Sequence, residues 1–151
     1  MLITATVVTA LVLTVVLVHF AVLAFISEGL MPRLGRWGRW RLVAMFGVLI
    51  PAHLLEILIF AGAFWTTERF SDLGSLHGAL AAGFRSYLYF SASAYTSLGF
   101  GDIVPTGELR LIASMETLCG LILIGWSASF TYLEMGRYWE ACPHGRVGSE
   151  R

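Results

Sequence analysis

Thr96-Ser97-Leu98-Gly99-Phe100-Gly101-Asp102 is the stretch on which the reading of this chain turns. Its two glycines, two residues apart, permit backbone angles that a residue with a Cβ avoids. Successive carbonyls can then point the same way, toward an axis, while Leu98 and Phe100 point outward and wedge against the helix before them. A row of carbonyl oxygens on such an axis replaces the water shell of a dehydrated cation. The preceding residues 84–95 are apolar and aromatic enough to be buried but too short to cross a bilayer. A helix there, ending at Tyr95 or Thr96, aims its negative C-terminal dipole at the ion path. Non-helical backbone persists at membrane depth only where protein surrounds it or where it lines a watery path.

The flanking sequence supplies the membrane. Residues 42–67 form one long apolar segment, interrupted by His53 and Glu56, and residues 111–133 another, interrupted by Glu116. Between them lie residues 68–110, of mixed character, which hold the re-entrant stretch. A third apolar run, residues 2–26, contains no charge and one histidine, His19. At about 1.5 Å per residue each run spans a hydrocarbon core of roughly 30 Å. A secretory signal has a basic start and a shorter apolar stretch, whereas here the first charge is Glu28 and the run is too long, so it reads as a true membrane helix.

Composition agrees. Of the 151 residues 57% are hydrophobic and only 13% charged, with a mean hydropathy of +0.75, whereas a soluble domain carries about 25% charged residues. Ten basic residues balance ten acidic ones, which argues against a nucleic-acid partner. Every basic residue is Arg, a hint of GC-rich, bacterial coding. Cys119 and Cys142 have neither disulfide-framework nor zinc-site spacing and read as simple thiols. Arg33, Arg36, Arg39 and Arg41, with Arg137, Arg146 and Arg151, outnumber Arg69, Arg85 and Arg110 on the other side. The positive-inside rule then places the first connection and the C-terminal tail in the cytoplasm and the N-terminus outside.

With these residues in hand, the chain resembles the potassium channels, whose filter is commonly Thr-Val-Gly-Tyr-Gly-Asp. The likeness runs from about residue 87 to 135, and more loosely back to 41. It covers the two-helix pore module of small bacterial and two-pore-domain potassium channels, here with an extra N-terminal membrane helix. The resemblance implies an all-α membrane protein with three transmembrane helices and a re-entrant pore helix and filter loop between the second and third. It also implies a homotetramer in the cell (inner) membrane, because one filter segment per chain encloses no pore. The organisation expected is residues 1–40 as first helix and Arg/Trp-rich connection, 41–135 as pore module, and 136–151 as a short cytoplasmic tail. Within the module the outer helix is 42–67, the pore helix 84–96, the filter 96–102 and the inner helix 109–135.

The resemblance also assigns roles. Thr96, Ser97, Leu98, Gly99, Phe100 and Gly101 form the potassium-binding filter, with K+ held by carbonyls and by the Ser97 hydroxyl, the innermost ligand. Ser keeps that oxygen but loses the methyl that restricts Thr. Phe100 stands where the family has a Tyr that donates to a pore-helix aromatic. That aromatic position falls on Phe90, so an apolar Phe100–Phe90 contact is expected instead. Asp102, at the outer mouth, contributes to a ring of carboxylates or pairs with Tyr89. The family's pore-helix Glu falls on Ser93, so bracing of the filter is expected from Glu56 or Glu116 on the neighbouring helices. Gly120 falls at a gating-hinge position, with close packing as the equal alternative, and packing is favoured for Gly125.

Charged groups at bilayer depth are costly and mark functional hypotheses. His53 and Glu56, three apart, share a helix face. A metal or proton-relay role is disfavoured for them because the sequence has no second cluster at suitable spacing, and His19 reads as a packing residue. The first helix lacks a voltage sensor's arginines, and a tail of about fifteen residues is too short for a ligand-binding domain. Trp37 and Trp40 are expected to anchor the connection at the lipid headgroups. The function expected is passive K+ conduction with no cofactor beyond the permeant ion and no enzymatic activity. A weakly selective cation channel and a non-conducting regulatory membrane subunit are the alternatives.

Overall fold

The computed structural model describes residues 2–34, 40–78 and 83–141. The readings placed on Arg36, Trp37 and Arg39, and on the tail beyond 141 with Cys142, lie outside them. Helix α1 is Leu2–Ala24, continued without a break by a π-helical segment, Phe25–Leu30, and a short α2, Met31–Leu34. Helix α3 is Trp40–Phe70, a short strand β1 is Leu76–Gly78, and helix α4 is Arg85–Tyr95. A second strand, β2, is Ile103–Pro105, and helix α5 is Leu109–Ala141.

Three of these helices are long and apolar enough to cross a membrane: Leu2–Leu34, Trp40–Phe70 and Leu109–Arg137. Each outruns a hydrocarbon core by several residues, which tilt or extension past the headgroups accommodates. Hydrocarbon offers a backbone no outside partners, so helix is the state that satisfies every N–H and C=O within the segment. Thr6, Thr9 and Thr14 settle their own hydroxyls on the carbonyls of Leu2, Ala5 and Ala10, at 3.0, 2.8 and 2.7 Å. Leu13, Leu17, Ile50, Leu54, Leu58, Leu121 and Ile122 stay exposed along the helices, a surface suited to lipid or to other chains.

Most boundaries lie close to those expected, and three features differ. Helix α5 runs on to Ala141, so residues 136–141, assigned to the tail, are helix. Helix α3 starts at Trp40 and reaches Phe70, extending past the expected span at both ends. The chain also carries one two-stranded antiparallel sheet, with Leu76 opposite Pro105, His77 opposite Val104 and Gly78 opposite Ile103. It clips the loop after α3 to the chain just past residue 102. Three-residue strands leave no alternation in the sequence to read.

The core falls into two apolar layers. At one end Val8 and Val15 of α1 pack with Phe60 and Phe64 of α3, Phe90 of α4, and Leu109, Ile112 and Leu123 of α5. At the other end Leu23, Ile26 and Met31 meet Met45 and Leu49, with Phe130 against them. Arg41 and Arg137 close that end on Glu134, at 4.0 and 2.6 Å. Between the layers, the buried positions His19, Glu56 and Ser127 are polar.

Candidate functional site

Helix α4 lies between α3 and α5, and its end is fixed by a close backbone approach. A Cβ on Gly120 would stand 2.0 Å from the Tyr95 carbonyl oxygen and 2.8 Å from its carbon, so no larger residue fits there. Gly120 therefore sits at a tight contact between α5 and the end of α4. Gly125, expected to pack, has nothing within 4 Å of a Cβ in this chain.

The chain leaves α4 through Thr96, whose hydroxyl returns to the Ala92 carbonyl at 2.7 Å. The next amides are spent on the helix end: Ser97 N–H donates to Ala94 at 3.0 Å, and Leu98 and Gly99 donate to Ser93 at 3.0 and 3.3 Å. Ser93 thus supports the segment through its backbone carbonyl. Ser97, Gly99 and Gly101 have positive φ, at 59°, 52° and 78°, while Leu98 and Phe100 between them do not. A backbone that alternates in hand turns successive peptide units the same way. With the amides of 97–99 turned back to α4, the carbonyls of 96–101 accept no hydrogen bond among the described residues. Gly99 and Gly101 suit this conformation freely, whereas Ser97 holds it at a cost of about 1–2 kcal/mol.

The side chains around the segment partly depart from expectation. Phe100 stacks on Tyr89, ring planes 1° apart and centroids 6.4 Å apart, and the expected contact with Phe90 is not made. Phe90 packs edge-on against Phe64 of α3, centroids 5.1 Å apart. Consecutive residues on a helix diverge by about 100°, so only one of the pair can face the segment. Tyr89 also donates to Asp102 Oδ2 at 2.9 Å, and Asp102 Oδ1 accepts the Ile103 amide at 3.1 Å. Leu98 and Phe100 are both more than half exposed in the single chain.

Behind α4 sit the two buried carboxylates. Glu116 accepts from Ser91 at 2.5 Å, and the same hydroxyl lies 2.8 Å from the Ile57 carbonyl. Glu56 accepts from Tyr95, from His19 Nδ1 at 2.9 Å and from His53 Nδ1 at 3.1 Å. His53 Nδ1 also lies 2.8 Å from the Tyr95 hydroxyl. Ser127 Oγ touches both remaining ring nitrogens, His53 Nε2 at 3.1 Å and His19 Nε2 at 3.3 Å. Both carboxylates thus meet hydroxyls of α4, the helix that leads into residues 96–102.

His19 and Ser127 are the members that sequence reasoning missed. His19 is fully buried, and its partner Glu56 lies 37 residues away. The usable signal was an ionisable residue in an otherwise apolar helix.

The model of the ion channel family matches residues 52–133, more than half of the chain. The chain belongs to that family. No curated protein and no solved structure matches it. The matched span covers the second part of α3, all of α4, the 96–102 segment and α5 as far as Leu133, and leaves out α1. With three membrane-capable helices, this ion channel is a multi-pass membrane protein. Membership makes it a channel rather than an enzyme.

Proposed function

We propose that the chain is one subunit of a potassium-selective channel, with residues 96–101 as its filter in a ring of four. The alternating hand of the backbone at Ser97, Gly99 and Gly101 carries this reading. It leaves a run of unpaired carbonyls, the ligand set that dehydrated K+ requires. Ser97 supplies the innermost hydroxyl and Asp102 the outer carboxylate ring. Depth supports the same view. Gly120, which meets the end of α4, is 11 residues into α5, about 16 Å along the axis, near the middle of the hydrocarbon. Helix α4 is then a re-entrant pore helix, α3 the outer helix and α5 the inner helix. Assembly around a four-fold axis covers Leu98 and Phe100 with neighbouring chains.

The arginine distribution sets the N-terminus outside and the end of α5 in the cytoplasm of the cell membrane. An impermeant thiol reagent on intact cells tests this: His77→Cys is expected to label and Arg137→Cys to stay unlabelled, the reverse pattern inverting the topology. For conduction, purified protein in liposomes is given K+ or Na+ gradients, with barium as blocker. Barium-sensitive K+ flux well above Na+ flux is expected. Equal fluxes would make the filter weakly selective, and no flux would make the chain a regulatory subunit.

A further inference from the structure

Two imidazoles and a carboxylate from two helices point their ligand atoms at one spot behind α4. The His19, His53 and Glu56 ligand atoms all lie within 4.8 Å of one another. We propose that they form an intramembrane binding site for a borderline divalent cation of the zinc class, with the fourth position open to water.

Geometry is the first support. Tetrahedral zinc bonds of about 2.0–2.1 Å put neighbouring ligand atoms about 3.3 Å apart. His19 Nδ1 to Glu56 Oε1 is 2.9 Å and His53 Nδ1 to Glu56 Oε2 is 3.1 Å. The two contacts fall on different oxygens of Glu56 and the three ligand atoms lie within 4.8 Å of one another, so the rings close further on one carboxylate oxygen to share an ion. Two nitrogens and a carboxylate select zinc, cobalt or nickel over calcium and magnesium, which take mainly oxygen ligands.

Hydrogen-bond bookkeeping is the second support. With both rings neutral and both Nδ1–H groups on Glu56, both Nε2 atoms are acceptors. Ser127 Oγ faces both, at 3.1 and 3.3 Å, and has one proton to give. His53 is 20% exposed and can turn its nitrogen to water, so a bound cation is one of two ways to match the pair. With a cation on the two Nδ1 atoms, each ring carries its proton on Nε2, and both donate to the two lone pairs of Ser127. Ser127 then plays the outer oxygen that orients metal-bound histidines. Glu56 offsets part of the ion's charge. His53 and Ser127 border a cavity of about 470 Å³ lined also by Phe46, Leu49, Ile50 and Ile124.

Occupancy redirects the Glu56 oxygen that holds Tyr95, the last residue of α4, so a bound ion alters conduction. That coupling, unlike the binding itself, rests on the channel reading above. The test titrates purified full-length protein in detergent with Co2+ and follows its visible absorption. One equivalent per chain with the intense bands of four-coordinate cobalt is expected, displaced by Zn2+. The bands are expected to vanish in His19→Gln and in His53→Gln and to persist in His77→Ala. Zinc-edge X-ray absorption on the unmodified protein, expecting two imidazole nitrogens, guards against variants that fail to fold. No four-coordinate signal, a signal that survives both glutamine variants, or sulfur in the zinc shell overturns the site. Cobalt spectra as expected with zinc-independent liposome flux overturn the coupling alone.

Discussion

Gly120→Ala isolates what holds the end of α4 in place. The added methyl carbon would stand 2.0 Å from the Tyr95 carbonyl oxygen, 2.8 Å from its carbon and 3.1 Å from its Cα. These are backbone atoms, so no side-chain rotation relieves the clash. Ordinary contact starts near 3.4 Å, so the two helices must part by about 1.4 Å or α4 must slide. Alanine favours the helix itself by about 1 kcal/mol. Overpacking of a tight interface costs about 1–3 kcal/mol. The balance is a destabilisation of up to about 2 kcal/mol, and its structural effect falls on residues 96–102, whose first amides, 96–99, hang from the end of α4. Thermal unfolding in detergent and paired K+ and Na+ flux in liposomes measure the two consequences. Gly125→Ala is the matched control, since its methyl meets nothing within 4 Å in this chain. Gly120→Ala is expected to lower the unfolding temperature and the K+/Na+ ratio, and Gly125→Ala to spare the ratio. A hinge role would change the probability of opening and leave the ratio intact. Wild-type selectivity with undiminished stability in Gly120→Ala would refute the packing argument.

The remaining expectations follow from the same geometry. Gly99→Ala and Gly101→Ala each force a Cβ into the left-handed region, at about 1–2 kcal/mol per chain, and are expected to abolish selective K+ flux while detergent-solubilised protein keeps its helical circular dichroism; normal flux in both would count against a carbonyl filter. Glu56 faces donors only, so Glu56→Gln turns an amide toward Tyr95 or a histidine and is expected to cost about 1–3 kcal/mol and to change inactivation. Glu116→Gln, whose oxygen can still accept from Ser91, is expected to have the smaller effect, and equal effects would remove the distinction. Asp102→Asn is expected to reduce K+ conductance several-fold at low ionic strength and little at high, because salt screens a mouth carboxylate; a loss that does not depend on salt would assign Asp102 to its bond with Tyr89 instead.

What the sequence made legible was local. Long apolar runs and a short run between them are written residue by residue, and so is the Gly-Phe-Gly spacing, which is why α1, α3, α4 and α5 can be placed from residue order alone. Glu56 and Glu116 stand out because a charge inside an apolar run is conspicuous. Non-local features were not legible. His19 reaches Glu56 across 37 residues and Ser127 across 108, and no periodicity encodes a meeting between helices. Phe90 pairs with Phe100 by position in a family pattern, but the helix turns Phe90 to Phe64 and gives Phe100 to Tyr89. The positive φ of Ser97 could not be read from a residue that usually avoids it.

The buried cluster explains why α1 stays against the rest of the chain. In lipid, apolar surface supplies no driving force for helices to associate, because the acyl chains are as apolar as leucine. The outer faces of α1, rich in Leu and Val, would be equally content in hydrocarbon. His19 would not, since an unpaired imidazole there is costly. Glu56 has the same difficulty more severely, since a carboxylate costs more to bury than a neutral ring, and its oxygens draw on His19 as well as on His53 and Tyr95. Docking α1 satisfies His19, Glu56 and Ser127 together, and packing above and below at Val15 and Leu23 comes with it. The span shared with the ion channel family begins at residue 52 and so includes Glu56, Tyr95 and Ser127 but not His19. The first helix therefore completes a polar group that the channel portion leaves one partner short. A chain shortened to α3–α5 would hand Glu56 to the lipid, and through Tyr95 the consequence would arrive at the start of residues 96–102.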